Sequence, residues 1–208
     1  MAVWVLTLWN KRELIGDAVR SLWDQATRRR VVHVCEQDVG QYAGQGYPPG
    51  VFYNAIVANI PPEDYIAWLS DDDVLLPDYV EALAGYLDEH PEANACYGQS
   101  ERWALAEDGR TWKLGDLPGG PIYGIQGMPC CNIDGGQVMY RGQVLDRIDP
   151  PWHPMTMQAC HVSDGLLLNK IAAVTPIYPV GKLVVMRNRI TWLSSHWRLV
   201  GDSPQFTH

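Results

Sequence analysis

The chain has 208 residues, 47% of them apolar and 19% charged, a globular balance that excludes a disordered chain. Its 24 acidic side chains exceed its 16 basic ones for a formal charge of −8, which counts against a nucleic-acid binder and against docking on anionic lipid. Five cysteines form no CxxC pair, the first nine residues lack the basic lead and cleavage site of a signal, and no apolar run reaches the roughly 18 residues of a membrane span. These features give the expectation of reduced thiols in a cytoplasmic protein without a transmembrane segment.

Residues 2–8 are rich in Val, Trp and Leu and predict a buried strand. Ile15, Ala18, Val19, Leu22 and Trp23 recur at helical spacing within an amphipathic helix over 11–26, and 31–36 is a second short strand. Strand, helix and strand at this spacing predict a βαβ unit with a parallel pair. The Gly- and Pro-containing stretch 37–50 is a loop, 51–59 a short helix, and 65–69 a third strand. Pro77 suits the first turn of the next helix, whose stripe of Tyr79, Val80, Leu83, Ala84 and Leu87 runs up to Pro91, before a fourth strand over 95–100.

The second half is less regular. Residues 102–114 predict a hairpin turning at Asp108-Gly109, and 115–129, rich in Gly and Pro, an irregular, mobile loop. A strand-like stretch over 132–141, a short helix over 142–148, a helix over 163–173 with Ser163 as N-cap and a closing strand over 177–186 follow. The tail from 188 has no clear periodicity. With no internal repeat and no long linker, 1–208 is expected to be a single domain, residues 1–100 holding the ligand and 101–208 shaping a second, acceptor-side half.

The sharpest chemical signal is Asp71-Asp72-Asp73 directly after the third strand. In a mostly parallel α/β sheet, ligands bind outside the carboxyl ends of the strands. Three adjacent carboxylates repel one another, and a hard divalent cation such as Mn²⁺ or Mg²⁺, completed by diphosphate oxygens, relieves that. The competing reading is an acidic capping cluster ahead of the helix that begins near Pro77.

The segment YIAWLSDDDVLLPDY, residues 65–79, resembles the DXD segment of family 2 glycosyltransferases with the GT-A fold. Residues 3–10 followed by Ser21-Leu22-Trp23-Asp24-Gln25 are similar to that family's first strand, its T-x-N-like turn and its SLxxQ helix end. Residues 132–145 and Ser163-Asp164-Gly165 resemble its acceptor-side strand and acidic catalytic position, so the resemblance spans about residues 3–198. It implies a GT-A-like, Rossmann-like sheet flanked by helices, with an irregular acceptor-side second half.

It also implies a metal-dependent transfer of a sugar from a nucleotide-sugar donor, a uridine one, to a glycan, protein or other hydroxyl acceptor with inversion. By position, Asp73 would contact Mn²⁺ or Mg²⁺, with Asp71 facing the metal, ribose or donor sugar and Asp72 beside them. Ser70 stands where the family carries an acid. Glu36 or Asp38 would take the place of the family's base-holding DDGS turn, Thr7 that of its first-strand residue near the base, and Asn54 that of the asparagine in its RN helix, where Tyr53 replaces the common Arg. Asp164 matches the general base of inverting members. The family's R-x-H slot after the last strand reads Arg187-Asn188-Arg189 here, so either His196 supplies a third metal ligand or Arg189 neutralises the diphosphate.

Physical chemistry supports two of these roles and leaves alternatives beside them. Inverting transfer needs a carboxylate to take the acceptor's proton, and an acid in the first turn of a helix is favoured as the anion. Asp164 also fits a plain helix cap, with Asp134 and His161 next in line as bases. Trp103, Trp112, Trp152 and Trp192 are candidates for sugar stacking, with core packing as the alternative for each. A degenerate, non-catalytic carbohydrate- or nucleotide-binding module on the same fold is the rival class. A haloacid-dehalogenase-type phosphatase fits poorly, since Leu75 stands where its motif has Thr or Val.

Overall fold

The computed structural model describes residues 1–9, 15–37, 50–105, 111–117, 120–129, 132–152 and 163–191. Its first strand, β1 (Val3–Trp9), leads through helix α1 (Ile15–Trp23) to β2 (Val31–Gln37), which lies parallel to β1 with Val3 opposite Val31 and Trp9 opposite Gln37. Helix α2 (Gly50–Val57) then crosses to β3 (Tyr65–Trp68), parallel to β1 on its other side. This is the expected βαβ arrangement, extended by one strand. A two-residue strand, β4 (Val74–Leu75), follows the three aspartates and precedes α3 (Tyr79–Glu89).

The remaining strands are β5 (Ala95–Leu105), β6 (Thr111–Leu117), β7 (Val138–Arg141) and β8 (Ile177–Thr191), with α4 (Ser163–Val174) before the last. The sheet order is β2-β1-β3-β7-β5-β8-β4, with β6 paired to β5 off this path. β2, β1, β3, β5 and β8 point the same way, whereas β7, β4 and β6 run against them. The sheet is thus mostly parallel, and β7 is the antiparallel strand that joins its two halves.

Both faces of the central strands are covered. Along β3, Tyr65 and Ala67 enter one core with Val3, Val5, Ala18, Leu22 and the α3 stripe, while Ile66 and Trp68 enter the other with Leu6, Val57 and the α4 residues Leu167, Leu168 and Ile171. Burial on both faces explains why the strand is an unbroken apolar run rather than an alternating one. Each fully buried Leu or Val contributes roughly 1.5–3 kcal/mol.

Two expectations change on contact with this sheet. The strand over 95–100 and the first arm of the hairpin are one continuous strand, β5, whose ladder to β6 slips between Arg102 and Trp103. The hairpin turn at Asp108-Gly109 lies outside the described residues. β8 runs past 186 because β5 extends alongside it and pairs with it as far as Leu105 opposite Thr191.

The stretch 115–129 is not one free loop. Gly115 and Asp116 pair with β5 as part of β6, and Tyr123 is held by backbone bonds in both directions to Ile177, at 3.1 and 3.0 Å. The Gly120 amide donates to the Tyr97 hydroxyl at 2.8 Å, and that hydroxyl donates to Pro121 O at 2.9 Å. Gly124 has φ +88°, and a Cβ there would lie 2.5 Å from Ala172 O on α4, so only glycine lets this turn dock. Among the described residues, no helix is long and apolar enough to cross a membrane.

Candidate functional site

β1, β2 and β3 run parallel, so their carboxyl ends lie at the same end of the sheet, where the chain after β3 turns. Leu69 continues the ladder through its amide to Leu6 O at 3.1 Å, and a turn closed by Asp73 N–H to Ser70 O at 3.2 Å then carries the three aspartates. Asp71 is 7% exposed and Asp73 3% exposed, whereas Asp72 is only half-buried. Two of the three carboxylates therefore face inward, which an exposed capping cluster would not do.

Helix α1 fixes the chain just past these aspartates. The Ser21 hydroxyl accepts from Leu75 N–H at 3.0 Å and donates to Ala18 O at 2.6 Å. The Gln25 amide nitrogen donates to Ser21 O and Leu76 O, each at 2.9 Å, and its oxygen accepts from Val80 N–H at 3.0 Å. Ser21 and Gln25 of the SLxxQ-like segment thus clamp residues 75–80 at three backbone points. β4 adds an antiparallel pairing to β8, with Val74 opposite Met186 and Leu75 opposite Val185. Arg187 and Arg189 lie on β8 just beyond that pairing.

The acceptor-side half enters through a tight turn before β7. Asp134 caps a single 3₁₀ turn, Gly135–Gln137, with a reciprocal capping box: its carboxylate takes the turn's amide and Gln137 Oε1 accepts from Asp134 N–H at 2.9 Å. Gln137 is fully buried and its amide donates to Gly98 O at 2.8 Å, which ties the turn to β5. The Gly135 amide donates to Asp164 Oδ2 at 2.9 Å. A Cβ on Gly136 would lie 3.1 Å from Asp73 Oδ2. Asp73 and Asp164, far apart in sequence, therefore lie on either side of one two-glycine step.

Tyr53 on α2 links the same groups. Burial pushes its phenol well above the ordinary value, the charges of Asp164 and Asp71 push it further, and a backbone hydrogen bond from Leu8 opposes them. Tyr53 is thus within electrostatic reach of Asp164 and Asp71 together, at the carboxyl end of β1. Gly135 and Gly136 are site residues that motif reading passed over, and Tyr53 figures there only as the residue that replaces the common Arg of the RN helix. The glycine pair carried a signal, since Asp-Gly-Gly before a strand marks a tight turn. The motif gave Tyr53 no place beside Asp164 and Asp71, because its surroundings exist only once α2 and α4 pack on the same face.

The other expected residues are placed as follows. Asp164 sits in the first turn of α4 and is half-buried. Thr7 is fully buried with its hydroxyl 2.9 Å from His33 Nε2, and burial lowers the His33 pKa, keeping that ring neutral at neutral pH. Glu36 is exposed at the end of β2, opposite Leu8 of β1, and Asn54 is half-buried beside Tyr53. Trp152 donates to Leu145 O at 3.2 Å and packs against the core, and Trp103 donates to Glu101 at 3.0 Å, so both indoles are engaged by the protein. Asp38, His161, Trp192 and His196 lie outside the described residues, as do the side chains of Trp112 and Arg189. Among the described residues, no three His, Cys, Asp or Glu side chains gather closely enough to hold a metal ion by themselves.

The fold is similar to that of S. aureus TarS. The TM-score is 0.60 at 15% identity, over 90% of this chain and 37% of that one. A structure of TarS residues 1–349 in complex with UDP gives 0.59 at 16% identity, over 89% of this chain and 60% of that one. This chain therefore spans less than two thirds of each of these TarS chains. No family model matches it. The α/β architecture with its mostly parallel sheet flanked by helices is thus similar to the TarS fold.

Proposed function

We propose that this chain is a metal-dependent glycosyltransferase that moves a sugar from a nucleotide-sugar donor, a UDP-sugar, to a hydroxyl acceptor with inversion. The observation that carries the reading is the convergence of the buried Asp71 and Asp73 with Asp164 around the Gly135–Gly136 turn, at the carboxyl end of the parallel strands. The TarS complex adds weight, since a protein of this fold binds UDP.

The donor set suits Mn²⁺ or Mg²⁺ rather than a soft metal. Such ions take one or two carboxylates and complete their shell with phosphate oxygens and water, so a pair of inward-facing aspartates suffices without a third protein ligand. Asp73 and Asp71 would hold the ion, which when bound supplies positive charge against the leaving diphosphate. His196 or Arg189 would complete the diphosphate contact.

Asp164 takes the proton from the acceptor hydroxyl as its oxygen bonds to the anomeric carbon. The bond from that carbon to the diphosphate oxygen breaks, and its electron pair leaves with UDP. The Gly135 amide engages one carboxylate oxygen and leaves the other for the acceptor. Thr7, Glu36 or Asp38, and Asn54 would be the nucleotide-side residues, with Asp72 beside the metal-binding pair.

Hydrolysis of UDP-glucose in Mn²⁺, with water as surrogate acceptor, tests the reading. The protein is expected to release UDP, and Asp164→Asn to lower that rate by about 10²–10⁴ with UDP affinity retained. Full turnover in Asp164→Asn would remove Asp164 as the base. Saturable UDP binding without any turnover, with hydroxyl acceptors present or absent, would favour the non-catalytic binding module instead.

A further inference from the structure

We propose that Gly135 and Gly136 are positioning residues that set the two ends of the site separately, Gly135 orienting Asp164 and Gly136 making room for Asp73. The proposal rests on the reading of Asp164 as base and Asp73 as the donor-side carboxylate. It goes beyond that reading in assigning both positions to one turn.

Backbone conformation does not explain these glycines. Neither has positive φ, unlike Gly124, Gly127 and Gly181, so alanine would suit the backbone at both. Space explains them. A Cβ on Gly135 would lie 3.1 Å from Asp164 Cβ, 3.2 Å from Asp164 Oδ2 and 3.2 Å from Trp68 Cε3. On Gly136 the closest atom would be Asp73 Oδ2, at 3.1 Å, with Trp68 O at 4.0 Å. Each added methyl would thus press on a different carboxylate.

The turn is also poorly able to yield. Asp134 caps it, the Val138 amide bonds back to Gly135 O, and buried Gln137 anchors it to Gly98. A rigid turn passes the strain to the carboxylates. A displacement of a few tenths of an ångström matters at a reacting centre, where productive geometry is held to about 0.5 Å.

The test pairs Gly135→Ala with Gly136→Ala, each compared with wild type and Asp164→Asn. Gly135→Ala is expected to lower the turnover number for UDP-glucose hydrolysis about tenfold, with UDP affinity in Mn²⁺ unchanged. Gly136→Ala is expected to do the reverse at the donor end, weakening UDP binding in Mn²⁺ about tenfold. Equal losses in both variants, or none, would overturn the division of roles.

If Asp164→Asn abolishes turnover while Gly135→Ala retains it, the glycine assignment fails alone. If Asp164→Asn retains turnover, the base reading fails and the Gly135 role fails with it. Should an alanine variant not fold, amide NMR on folded protein decides. The Gly135 resonance is expected to move in Asp164→Asn and the Gly136 resonance in Asp73→Ala. Resonances left in place would contradict the geometry.

Discussion

Charge at single residues sets how stability depends on pH, and among the described residues Arg29, Glu81, Asp88 and Tyr65 form one such cluster. Burial works against the charge on Asp88, but hydrogen bonds from the Tyr65 phenol and from Arg29 outweigh it and hold the carboxyl below its usual range. Glu81 is held low chiefly by the Thr27 hydroxyl, with Arg29 adding to it against burial. Folded values below the unfolded ones mean stability that is complete above the ordinary carboxylate range near pH 4 and is lost as the pH falls through the folded values. Tyr65 has the opposite sign: burial and then Asp88 push it to about 12, so its contribution is full below about pH 10 and fades as the pH rises to 12. Urea unfolding across pH is expected to show a shallower acid limb in Asp88→Asn and a shallower alkaline limb in Tyr65→Phe. Curves that superimpose on wild type would place the pH dependence elsewhere. Asp88 and Glu81 are partly solvated, so the acid effect is modest beside that of a buried pair.

Among elements, the clamp from α1 to the start of α3 is what places the aspartates. Gln25→Ala removes three hydrogen bonds to backbone atoms and leaves Val80 N–H and two carbonyls in a part-buried seam. The expected cost is about 1–3 kcal/mol, seen as a lower urea midpoint at unchanged slope. A change below a few tenths of a kcal/mol would mean that the clamp is redundant. The SLxxQ-like segment was legible in sequence as a resemblance, but its physical role was not, because Gln25 acts on residues more than fifty positions away. The same holds across the fold. β1, α1, β2, β3, α3 and α4 announce themselves through continuous apolar runs or helical spacing. β4 does not, since two residues have no period and exist as a strand only because β8 lies alongside. The joining of 95–105 into one strand was hidden for the same reason: the charged pair Glu101-Arg102 interrupts the apolar pattern, and the strand runs through it because β6 and β8 pair with both edges. The aspartate triplet and Asp164 stand out in the sequence, whereas their closeness to Gly135, Gly136 and Tyr53 comes from packing alone.

For the whole molecule, the sheet gathers at one edge the ends of three parallel strands, the aspartate turn, and the Asp134–Gln137 turn that brings in α4. The antiparallel strand β7 makes this possible, because it enters between β3 and β5 with its preceding turn at the carboxyl end of β3. The result is two inward carboxylates and one carboxylate across a rigid step from them, the arrangement on which the proposed inverting transfer rests. The most direct measurement is a calorimetric titration of the protein with UDP, with and without Mn²⁺, repeated on Asp73→Ala. The expected result is saturable binding that Mn²⁺ strengthens and Asp73→Ala abolishes, with about 2.7 kcal/mol of added stability at 100 times Kd. Absence of UDP binding by the wild type, or equal Mn²⁺-dependent binding by Asp73→Ala, would contradict it.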